Sequence, residues 1–335
     1  MNILVTGVSG FVGGHIARYL VNKGHHVTGI SRREIPSKKI SHIRADLTKP
    51  IREHLPCTSY DTVIHSAALT EFNAPYKKAY SVNVTGTQNA YALAKQIKAK
   101  KFIHLSSFSV YQEFTDRYRV DEEFPKARAT ASSYSQTKLE AERFLEKQEN
   151  LPVVCLRPHI IYGPGDTSVL SQFLSMIKFN RLFLPIETPK EVSVTYVKNL
   201  VEGIEFFLER KIENNYVAYN ISDKKKLDSL TLISNFLAFS APETKIVLVP
   251  KVIGYGSAQI STIIARFQQQ TPKLTTDLVH QLNNNSSSST KKLSGLGFTP
   301  KFSFEIGLKA TSDWYNKFTG IKEFLSDSEK VWPKI

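Results

Sequence analysis

Three Tyr-x-x-x-Lys pairs in the sequence could carry acid–base chemistry: Tyr19 with Lys23, Tyr91 with Lys95, and Tyr134 with Lys138. Side chains four residues apart on a helix share one face, with their Cβ atoms about 5 to 6 Å apart. A free phenol has a pKa near 10, so only about one in a thousand is ionised at pH 7. An ammonium about 4 Å away is worth about 4 kcal/mol, enough to lower that pKa by about three units.

The surroundings of Tyr134 and Lys138 distinguish this pair from the other two. Tyr134 opens a predicted helix after a polar loop, and the strand before that loop ends in Ser106-Ser107. Tyr19 lies well inside the first predicted helix and Tyr91 inside a later one, so we interpret both as packing or surface residues. Only Tyr134 has a strand-end hydroxyl placed to join it, and we predict that it donates or accepts a proton near neutral pH.

A glycine-rich turn follows the first predicted strand and reads Thr6-Gly7-Val8-Ser9-Gly10-Phe11-Val12-Gly13. Gly7 allows a tight turn, Gly10 lets the backbone approach a pyrophosphate, and Gly13 allows close packing of the helix that follows. The helix N-terminus then faces the anion. The alternative is a glycine-rich turn without a ligand, but the position between the first strand and the first helix favours a dinucleotide site.

The end of the second predicted strand indicates which dinucleotide would bind. An acidic residue about 20 residues beyond the glycines usually accepts hydrogen bonds from the adenine ribose. Here the sequence has Ser31-Arg32-Arg33. Two guanidiniums and a hydroxyl could receive a 2′-phosphate, so we expect NADP(H) to be preferred, with NAD(H) possible. The alternative is a pair of exposed arginines, and the segment from Ser31 to Ile40 is too short for the usual crossover helix.

Strand-like runs alternate with helical periodicity through the first half of the chain. This pattern predicts an α/β fold of the Rossmann type, a doubly wound parallel sheet with a smaller, interleaved C-terminal lobe. We assign residues 1–162 to the nucleotide-binding domain, with residues 190–221 returning to it, and residues 163–335 mainly to a substrate-binding lobe. The polar run Asn283 to Ser289 is expected to be a mobile loop. The predicted strands are residues 2–6, 26–31, 40–46, 62–67, 101–106 and 153–157, and the predicted helices are residues 15–23, 76–97 and 134–148.

Composition excludes several other classes of protein. Of the 335 residues, 41% are hydrophobic and 22% charged, so a disordered or fibrous chain is not expected. The only cysteines, Cys57 and Cys155, form no CxxC motif, and the histidines show no metal-ligand spacing, so we predict no metal site. Lysine and arginine exceed the acidic residues by 14, but the excess is spread along the chain. We interpret it as a solvated surface and expect a cytoplasmic protein without a nucleic-acid partner.

These motifs together resemble the extended short-chain dehydrogenases/reductases, the NAD(P)-dependent epimerase/dehydratase superfamily, over most of the chain. Besides the glycine turn and the Tyr134/Lys138 pair, several segments occur in the order typical of that family. They are Asp46-Leu47, His65-Ser66-Ala67-Ala68, Asn83-Val84-Thr85-Gly86-Thr87, Ser106-Ser107-Phe108-Ser109-Val110-Tyr111 and Leu156-Arg157-Pro158-His159-Ile160-Ile161-Tyr162-Gly163-Pro164-Gly165-Asp166.

The resemblance implies a role for each matching residue. Tyr134 would be the acid–base group, Lys138 would lower its pKa and hold the nicotinamide ribose, and Ser107 would bind the reacting oxygen, with Ser109 as the alternative. Asn83 matches a structural and proton-relay asparagine. The remaining residues expected along the cofactor are Gly7, Gly10, Phe11, Val12, Gly13, Ser31, Arg32, Arg33, Asp46, Leu47, Ala67, Ala68 and Pro158.

The resemblance leaves three kinds of activity open. A dehydratase would carry an Asp-Glu pair directly after the catalytic hydroxyl, but Phe108-Ser109 follow Ser107. Nucleotide-sugar enzymes tend to place an arginine on the diphosphate where this chain has Val192, although Lys190 is nearby. We therefore favour NADP-dependent reduction of a carbonyl, or oxidation of the alcohol. A nucleotide-sugar 4-epimerase with bound NAD and a non-catalytic NADP-binding sensor or structural protein remain as alternatives.

The C-terminal part resembles the 3β-hydroxysteroid dehydrogenase and dihydroflavonol reductase branch, which favours an apolar substrate. The resemblance lies in Tyr196 to Gly203, Thr271 to Thr275 and Leu296 to Pro300. It also suggests a homodimer through the helices containing Tyr91 and Tyr134. Membrane contact through the segment from Ile253 to Phe267 is the less favoured hypothesis. The apolar side chains that favour such a substrate are Phe236, Phe239, Ile253, Ile260, Ile263, Ile264 and Phe267.

Overall fold

The computed structural model of the protein describes residues 1–51, 55–57, 59–71, 74–111, 115–127, 132–167, 169–267 and 274–318. The expected substrate lobe thus includes stretches outside the described residues, among them residues 271–273 and 319–335. The strands are β1 (Asn2–Thr6), β2 (His26–Ser31), β3 (Ser41–Arg44), β4 (Thr62–His65), β5 (Lys101–Leu105), β6 (Arg117–Val120), β7 (Val153–Pro158), β8 (Ile160–Tyr162), β9 (Arg181–Leu184), β10 (Glu191–Val192), β11 (Val194–Tyr196), β12 (Tyr216–Ile221), β13 (Leu227–Asp228), β14 (Lys245–Leu248) and β15 (Ser286–Ser288). The helices are α1 (Phe11–Asn22), α2 (Tyr76–Tyr80), α3 (Gly86–Gln96), α4 (Ser133–Leu145), α5 (Val169–Ser175), α6 (Val197–Phe206), α7 (Ser229–Ser240), α8 (Lys251–Phe267), α9 (Thr276–Asn283), α10 (Lys291–Gly295) and α11 (Phe304–Tyr315).

A seven-stranded parallel sheet forms the centre, in the order β12-β7-β5-β4-β1-β2-β3. Its inner strands β1, β4, β5 and β7 are buried along almost their whole length, as expected for strands covered on both faces. Helices α1 and α6 cover one face and α3 and α4 the other, each with its own apolar core. The prediction of a Rossmann-type, doubly wound sheet is confirmed.

The second lobe contains three smaller sheets and most of the remaining helices. One has the order β13-β10-β15-β6, and the pairs β11-β8 and β14-β9 form the other two. Its apolar core includes Leu170, Leu184, Phe236 and Trp314. Within residues 190–221, β12 pairs with β7 in the central sheet, whereas β10 and β11 belong to the smaller sheets. The domain boundaries assigned above stay a prediction.

Two local predictions differ from the structure. The helix expected over residues 76–97 is divided, because a π-helical turn at Ser81–Thr85 separates α2 from α3. The run expected to be a mobile loop instead forms β15 at Ser286–Ser288, and all three serines are buried. Small polar side chains can be buried when neighbours take up their hydrogen bonds, as Arg117 does for Ser286 and Ser222 for Ser288.

Candidate active site

The strand ends and the first turn of α4 bring the predicted catalytic residues together. Ser107 follows β5 and its Oγ accepts the Ser109 N–H at 3.1 Å, which starts a short 3₁₀ turn. Ser132 caps α4, its Oγ accepting the Ser135 N–H at 3.1 Å, so Tyr134 lies in the first turn of the helix. The Ser107 side chain hydrogen-bonds Tyr134. Both residues keep part of their surface exposed, as groups that meet a substrate must.

The electrostatics of Tyr134 differ from the expectation. Burial raises the pKa of the Tyr134 phenol above its usual value, and the hydrogen bond with Ser107 only partly offsets this. The predicted lowering of that pKa by Lys138 is therefore not found. Lys138 Nζ instead donates to the Leu105 carbonyl oxygen at 2.7 Å. Burial lowers the pKa of Lys138 to about 8, against the opposing charge of Glu142 one helical turn away.

The Asn83 side chain forms hydrogen bonds to two segments of the site. Its Oδ1 accepts the Leu69 N–H at 2.7 Å, and its Nδ2 donates to the Leu69 carbonyl oxygen and to Thr137 Oγ1. These bonds use both amide hydrogens, and Thr137 precedes Lys138 on α4. The side chain thus ties the segment after β4 to the helix that carries Tyr134, whereas its predicted role in proton relay stays a prediction.

The glycine turn fits a dinucleotide in the geometry of its backbone. Gly7 has a φ of +77°, a left-handed conformation that favours glycine. A Cβ on Gly13 would lie 2.2 Å from the Gly7 carbonyl oxygen, so only glycine allows α1 to start this close to the turn. The first helical hydrogen bond is donated by the Gly14 N–H, which leaves the amides of Phe11, Val12 and Gly13 before it. Such amides bind phosphate at helix N-termini.

Ser31, Arg32 and Arg33 surround the end of β2. Both arginines are exposed, and Arg33 Nη2 donates to the Ser9 carbonyl oxygen of the glycine turn at 3.3 Å. The Ser31 hydroxyl is buried, donates to the Arg33 carbonyl oxygen at 2.7 Å and lies 2.8 Å from His42 Nε2. It shapes the loop, so the guanidiniums remain as the groups that can reach an anion. No helix occurs within residues 32–40, all of them described, as predicted.

The other residues expected along the cofactor lie at the same edge of the sheet. Ala67 and Ala68 follow β4, and Ala67 packs so closely on Gly7 that a Cβ there would come within 2.8 Å. Asp46 is exposed and accepts the Thr48 N–H at 3.0 Å, whereas Leu47 is buried. Pro158 ends β7. A groove of about 570 Å³ lies at the opposite edge, lined by Met1, Asp61, Lys101 and their neighbours, where no predicted site residue is found.

Sequence reasoning missed a buried ion pair beneath the site. The Arg157 guanidinium makes two hydrogen bonds to the Glu142 carboxylate, at 2.7 and 3.0 Å, and a third to the Tyr111 hydroxyl at 2.9 Å. Burial alone would raise the pKa of Glu142, but Arg157 lowers it well below its usual range. The pair anchors α4 on β7. Arginine within the otherwise apolar strand Val153–Pro158 was the signal that could have found it.

His159 was also missed as a residue of the site. Its Nδ1 accepts the Ile160 N–H at 2.8 Å, so the ring is neutral and its Nε2–H faces Ser286 Oγ at 2.9 Å. The ring centroid lies 4.3 Å from that of Phe108, the neighbour of Ser107. The buried serine strand β15 thus reaches the catalytic segment through His159.

The apolar side chains thought to favour an apolar substrate do not line the site. Phe236 is buried in the core of the second lobe, and Phe239 packs against Tyr315. Ile253, Ile260, Ile263, Ile264 and Phe267 are exposed on α8. Phe236 is thus part of the ordinary core and the α8 residues lie on the surface, so the expected preference for an apolar substrate stays a prediction.

Solved structures share this fold over nearly the whole chain. The UDP-glucuronic acid 4-epimerase of Bacillus cereus in complex with NAD is 24% identical, with a TM-score of 0.70 over 95% of this chain and 97% of its own. The UDP-glucose 4-epimerase of Thermotoga maritima is 19% identical, with a TM-score of 0.72 over 95% and 99%. At these identities, the likeness shows the fold alone.

Relatives in sequence include oxidoreductases. The 2-alkyl-3-oxoalkanoate reductase of Stenotrophomonas maltophilia is 28% identical over 92% of this chain and 98% of its own. The 3beta-hydroxysteroid-dehydrogenase/decarboxylase isoform 1 of Arabidopsis thaliana is 25% identical over 93% and 79%. Residues 3–222, which contain the glycine turn, Ser107, Tyr134 and Lys138, match the model of the NAD dependent epimerase/dehydratase family. The chain therefore belongs to this family, within the extended short-chain dehydrogenases/reductases.

Proposed function

We propose that the protein is an NADP-dependent oxidoreductase that reduces a ketone on an apolar substrate, or oxidises the corresponding alcohol. The hydrogen bond between Ser107 and Tyr134 carries this proposal, because it brings two hydroxyl donors to one point at the strand edge beside the glycine turn. When bound, the nicotinamide cofactor supplies or accepts the hydride. Ser107 then donates a hydrogen bond to the carbonyl oxygen, and Tyr134 delivers a proton to it.

Lys138 supports this chemistry from a buried position one helical turn after Tyr134. Its ammonium is buried and fixed on the Leu105 carbonyl at the end of the strand that leads to Ser107. A positive charge at this position favours the phenolate that Tyr134 becomes after giving up its proton. Asn83 and the Glu142–Arg157 pair hold α4 in place, so the tyrosine and the lysine keep a fixed position relative to β5.

The names of the sequence relatives support an apolar ketone or alcohol. They include the 2-alkyl-3-oxoalkanoate reductase and the hydroxysteroid dehydrogenase given above, as well as a farnesyl-dihydroquinoline-oxide ketoreductase of Stigmatella aurantiaca that is 30% identical over 63% of this chain. Each of these names describes a carbonyl or hydroxyl group on a largely hydrocarbon molecule. The buried Val192, at the position where nucleotide-sugar enzymes tend to carry an arginine, agrees with such a substrate.

The other two Tyr-x-x-x-Lys pairs provide a matched control for the catalytic assignment. The Tyr19 hydroxyl donates to Glu205, and the Tyr91 hydroxyl faces the Leu151 carbonyl oxygen, both away from Ser107. We expect Tyr134→Phe to lower kcat for ketone reduction at least about a hundredfold, while Tyr91→Phe keeps most of it. The measurement is loss of NADPH absorbance with a panel of 2-alkyl-3-oxo acids and 3-oxosteroids. Full turnover by Tyr134→Phe would contradict the assignment.

The second candidate, a nucleotide-sugar 4-epimerase with bound NAD, is favoured by the fold of the solved neighbours. It differs from the first in two measurable ways. An epimerase would co-purify with NAD and be stabilised against heat by UDP-sugars, and it would interconvert them without net use of NADPH. A ketoreductase would show neither property and would consume NADPH in proportion to ketone reduced.

The preference for NADP(H) depends on Arg32 and Arg33. Loss of a charge-assisted hydrogen bond to a phosphate costs about 1.5 to 3 kcal/mol, or about ten- to a hundredfold in affinity. We expect Arg32→Ala/Arg33→Ala to weaken NADPH binding by that factor and leave NADH binding nearly unchanged, measured by fluorescence titration. Lys38→Ala/Lys39→Ala, on the same exposed loop, is the control for loss of general positive charge. Equal losses for both nucleotides would show that the arginines do not bind the 2′-phosphate.

A further inference from the structure

Helix α8 exposes its large apolar side chains and buries its small ones, the reverse of the usual arrangement in a surface helix. Its small residues face the protein: Ala258 and Ala265 are buried, and a Cβ on Gly254 would lie 2.2 Å from Pro185. Its large apolar residues face outward, and between 49% and 86% of each is exposed. These residues, which we name the α8 stripe, are Val252, Ile253, Ile260, Ile263, Ile264 and Phe267.

The α8 stripe is a continuous surface. At 3.6 residues per turn, its six side chains fall within an arc of about 120°, opposite to the buried small residues. Helices at the surface of soluble proteins ordinarily show the reverse arrangement, with the apolar arc toward the core. Together the six residues expose on the order of several hundred Å² of mainly apolar surface, a size that marks interaction sites on monomeric proteins.

The charges of the helix indicate what covers this surface. Its sequence contains Lys251 but no acidic residue, and the whole chain carries a net charge of +14. One carboxylate lies nearby, since Lys251 Nζ is 3.0 Å from Glu187. An anionic bilayer attracts a chain of this net charge. A helix with basic residues and one broad apolar face is typical of helices that lie in the interface of a membrane.

The length of α8 agrees with a position in the plane of the bilayer. Seventeen residues give a helix about 25 Å long, shorter than the roughly 20 residues needed to span the hydrocarbon core. None of the helices in the described ranges is long and apolar enough to cross a membrane. We propose that the α8 stripe docks the protein on the surface of membranes rich in anionic phospholipids. This inference is independent of the proposed reaction.

Vesicle flotation tests this proposal on the full-length protein. The vesicles consist of phosphatidylcholine alone or of phosphatidylcholine mixed with phosphatidylglycerol. We expect the protein to float with the mixed vesicles, to float less with the neutral ones, and to be partly released by added salt. Failure of the wild-type protein to float with the mixed vesicles would overturn the proposal.

Substitutions within the stripe locate the binding surface. Because the substituted residues are exposed, Ile260→Ser/Ile263→Ser/Phe267→Ser should keep its thermal midpoint while its partition into the mixed vesicles falls at least about tenfold, by about 1.4 kcal/mol. The control variant Leu296→Ser/Ile306→Ser removes exposed apolar residues elsewhere and should float like the wild type. Undiminished flotation of the triple variant would overturn the proposal.

Light scattering without vesicles separates a membrane from a second copy of the chain. We expect the triple variant to keep the molar mass of the wild type, because the stripe is not where copies meet. A lower mass for the triple variant would overturn the proposal and assign the stripe to a contact between two copies.

Discussion

The protonation states of Tyr134 and Lys138 bear on the proposed proton transfer. Because burial raises the pKa of the phenol, Tyr134 is protonated at neutral pH, the form that can give a proton to a developing alkoxide. Lys138, with a pKa of about 8, is still mostly charged there. A protonated Tyr134 can donate a proton in the proposed reduction, whereas the reverse oxidation would require the phenol to lose its proton first.

The pH profile of reduction is expected to follow Lys138. Its pKa of about 8 means that the ammonium is present below that pH and lost above it. We expect kcat/KM for NADPH-dependent reduction to be flat around neutral pH and to fall above about pH 8, because this parameter reports groups of the free enzyme. Steady-state rates across this pH range measure it. A profile that stays flat to about pH 10 would mean that Lys138 keeps its proton throughout.

The buried Glu142–Arg157 ion pair is one of the contacts that hold α4 in position. Removal of one partner from a buried pair leaves an uncompensated charge and costs about 3 to 5 kcal/mol. We expect Glu142→Gln to lower the free energy of unfolding by about that amount, and the double variant Glu142→Leu/Arg157→Met to lose less than the single one. Urea denaturation gives both values. As a control, Lys309→Ala breaks the exposed pair with Asp313 and should change stability by less than about 0.5 kcal/mol.

The elements that sequence analysis could predict are those whose pattern is local. Strands β1 and β5 were predicted from short, mainly apolar runs, and the glycine spacing indicated a helix after the turn, although α1 begins at Phe11 and not at the predicted His15. The division between α2 and α3 at Asn83 was not predicted, since the hydrogen bonds of that side chain to Leu69 and Thr137 involve segments distant in the chain. The buried strand β15 was missed for the same reason.

In the candidate site, too, the features that depend on local sequence were predicted and those that depend on distant segments were not. The order of the motifs was enough to place Ser107, Tyr134 and Lys138 at one edge of the sheet. The raised pKa of Tyr134 was not predictable, because it depends on how much protein surrounds the phenol, and the helical spacing of four says nothing about that. The outward face of α8 likewise followed only from its packing against Pro185.

The whole molecule contains several histidines that burial keeps neutral. The pKa of both His15 and His65 is lowered to about 3, mainly by burial. The native state therefore binds fewer protons than the unfolded chain below the unfolded pKa of about 6.5. Their contribution to stability is present above about pH 6.5 and is lost as the pH falls toward 3, by about 1.4 kcal/mol per pH unit for each histidine.

These lowered pKa values predict that the folded state loses stability in mild acid. We expect the free energy of unfolding from urea titrations to fall by several kcal/mol between about pH 7 and pH 5. His15→Gln keeps a donor for the Pro164 carbonyl, which His15 Nε2 contacts at 2.7 Å, and should make the slope shallower by about one proton. Identical slopes for His15→Gln and the wild type would contradict this reading.

The oligomeric state of the protein stays a proposal. We expect a homodimer through α3 and α4, whose outward positions include Ala92, Lys95, Gln136 and Arg143. These outward residues are polar or small, in contrast to the α8 stripe. Polar contacts of this kind would give a dimer that dissociates on dilution, and the molar mass as a function of concentration measures it.

The pairings of β6 with β15 and of β7 with β12 join strands from the first and second halves of the chain. β6 comes from the first half of the chain and β15 from near its end, while β12 returns from the second half to close the edge of the central sheet beside β7. A cut after residue 162 would leave open edges on both fragments. Either fragment would expose backbone donors and acceptors that the intact chain pairs, so separate expression of the two fragments is expected to give unstable, aggregating proteins.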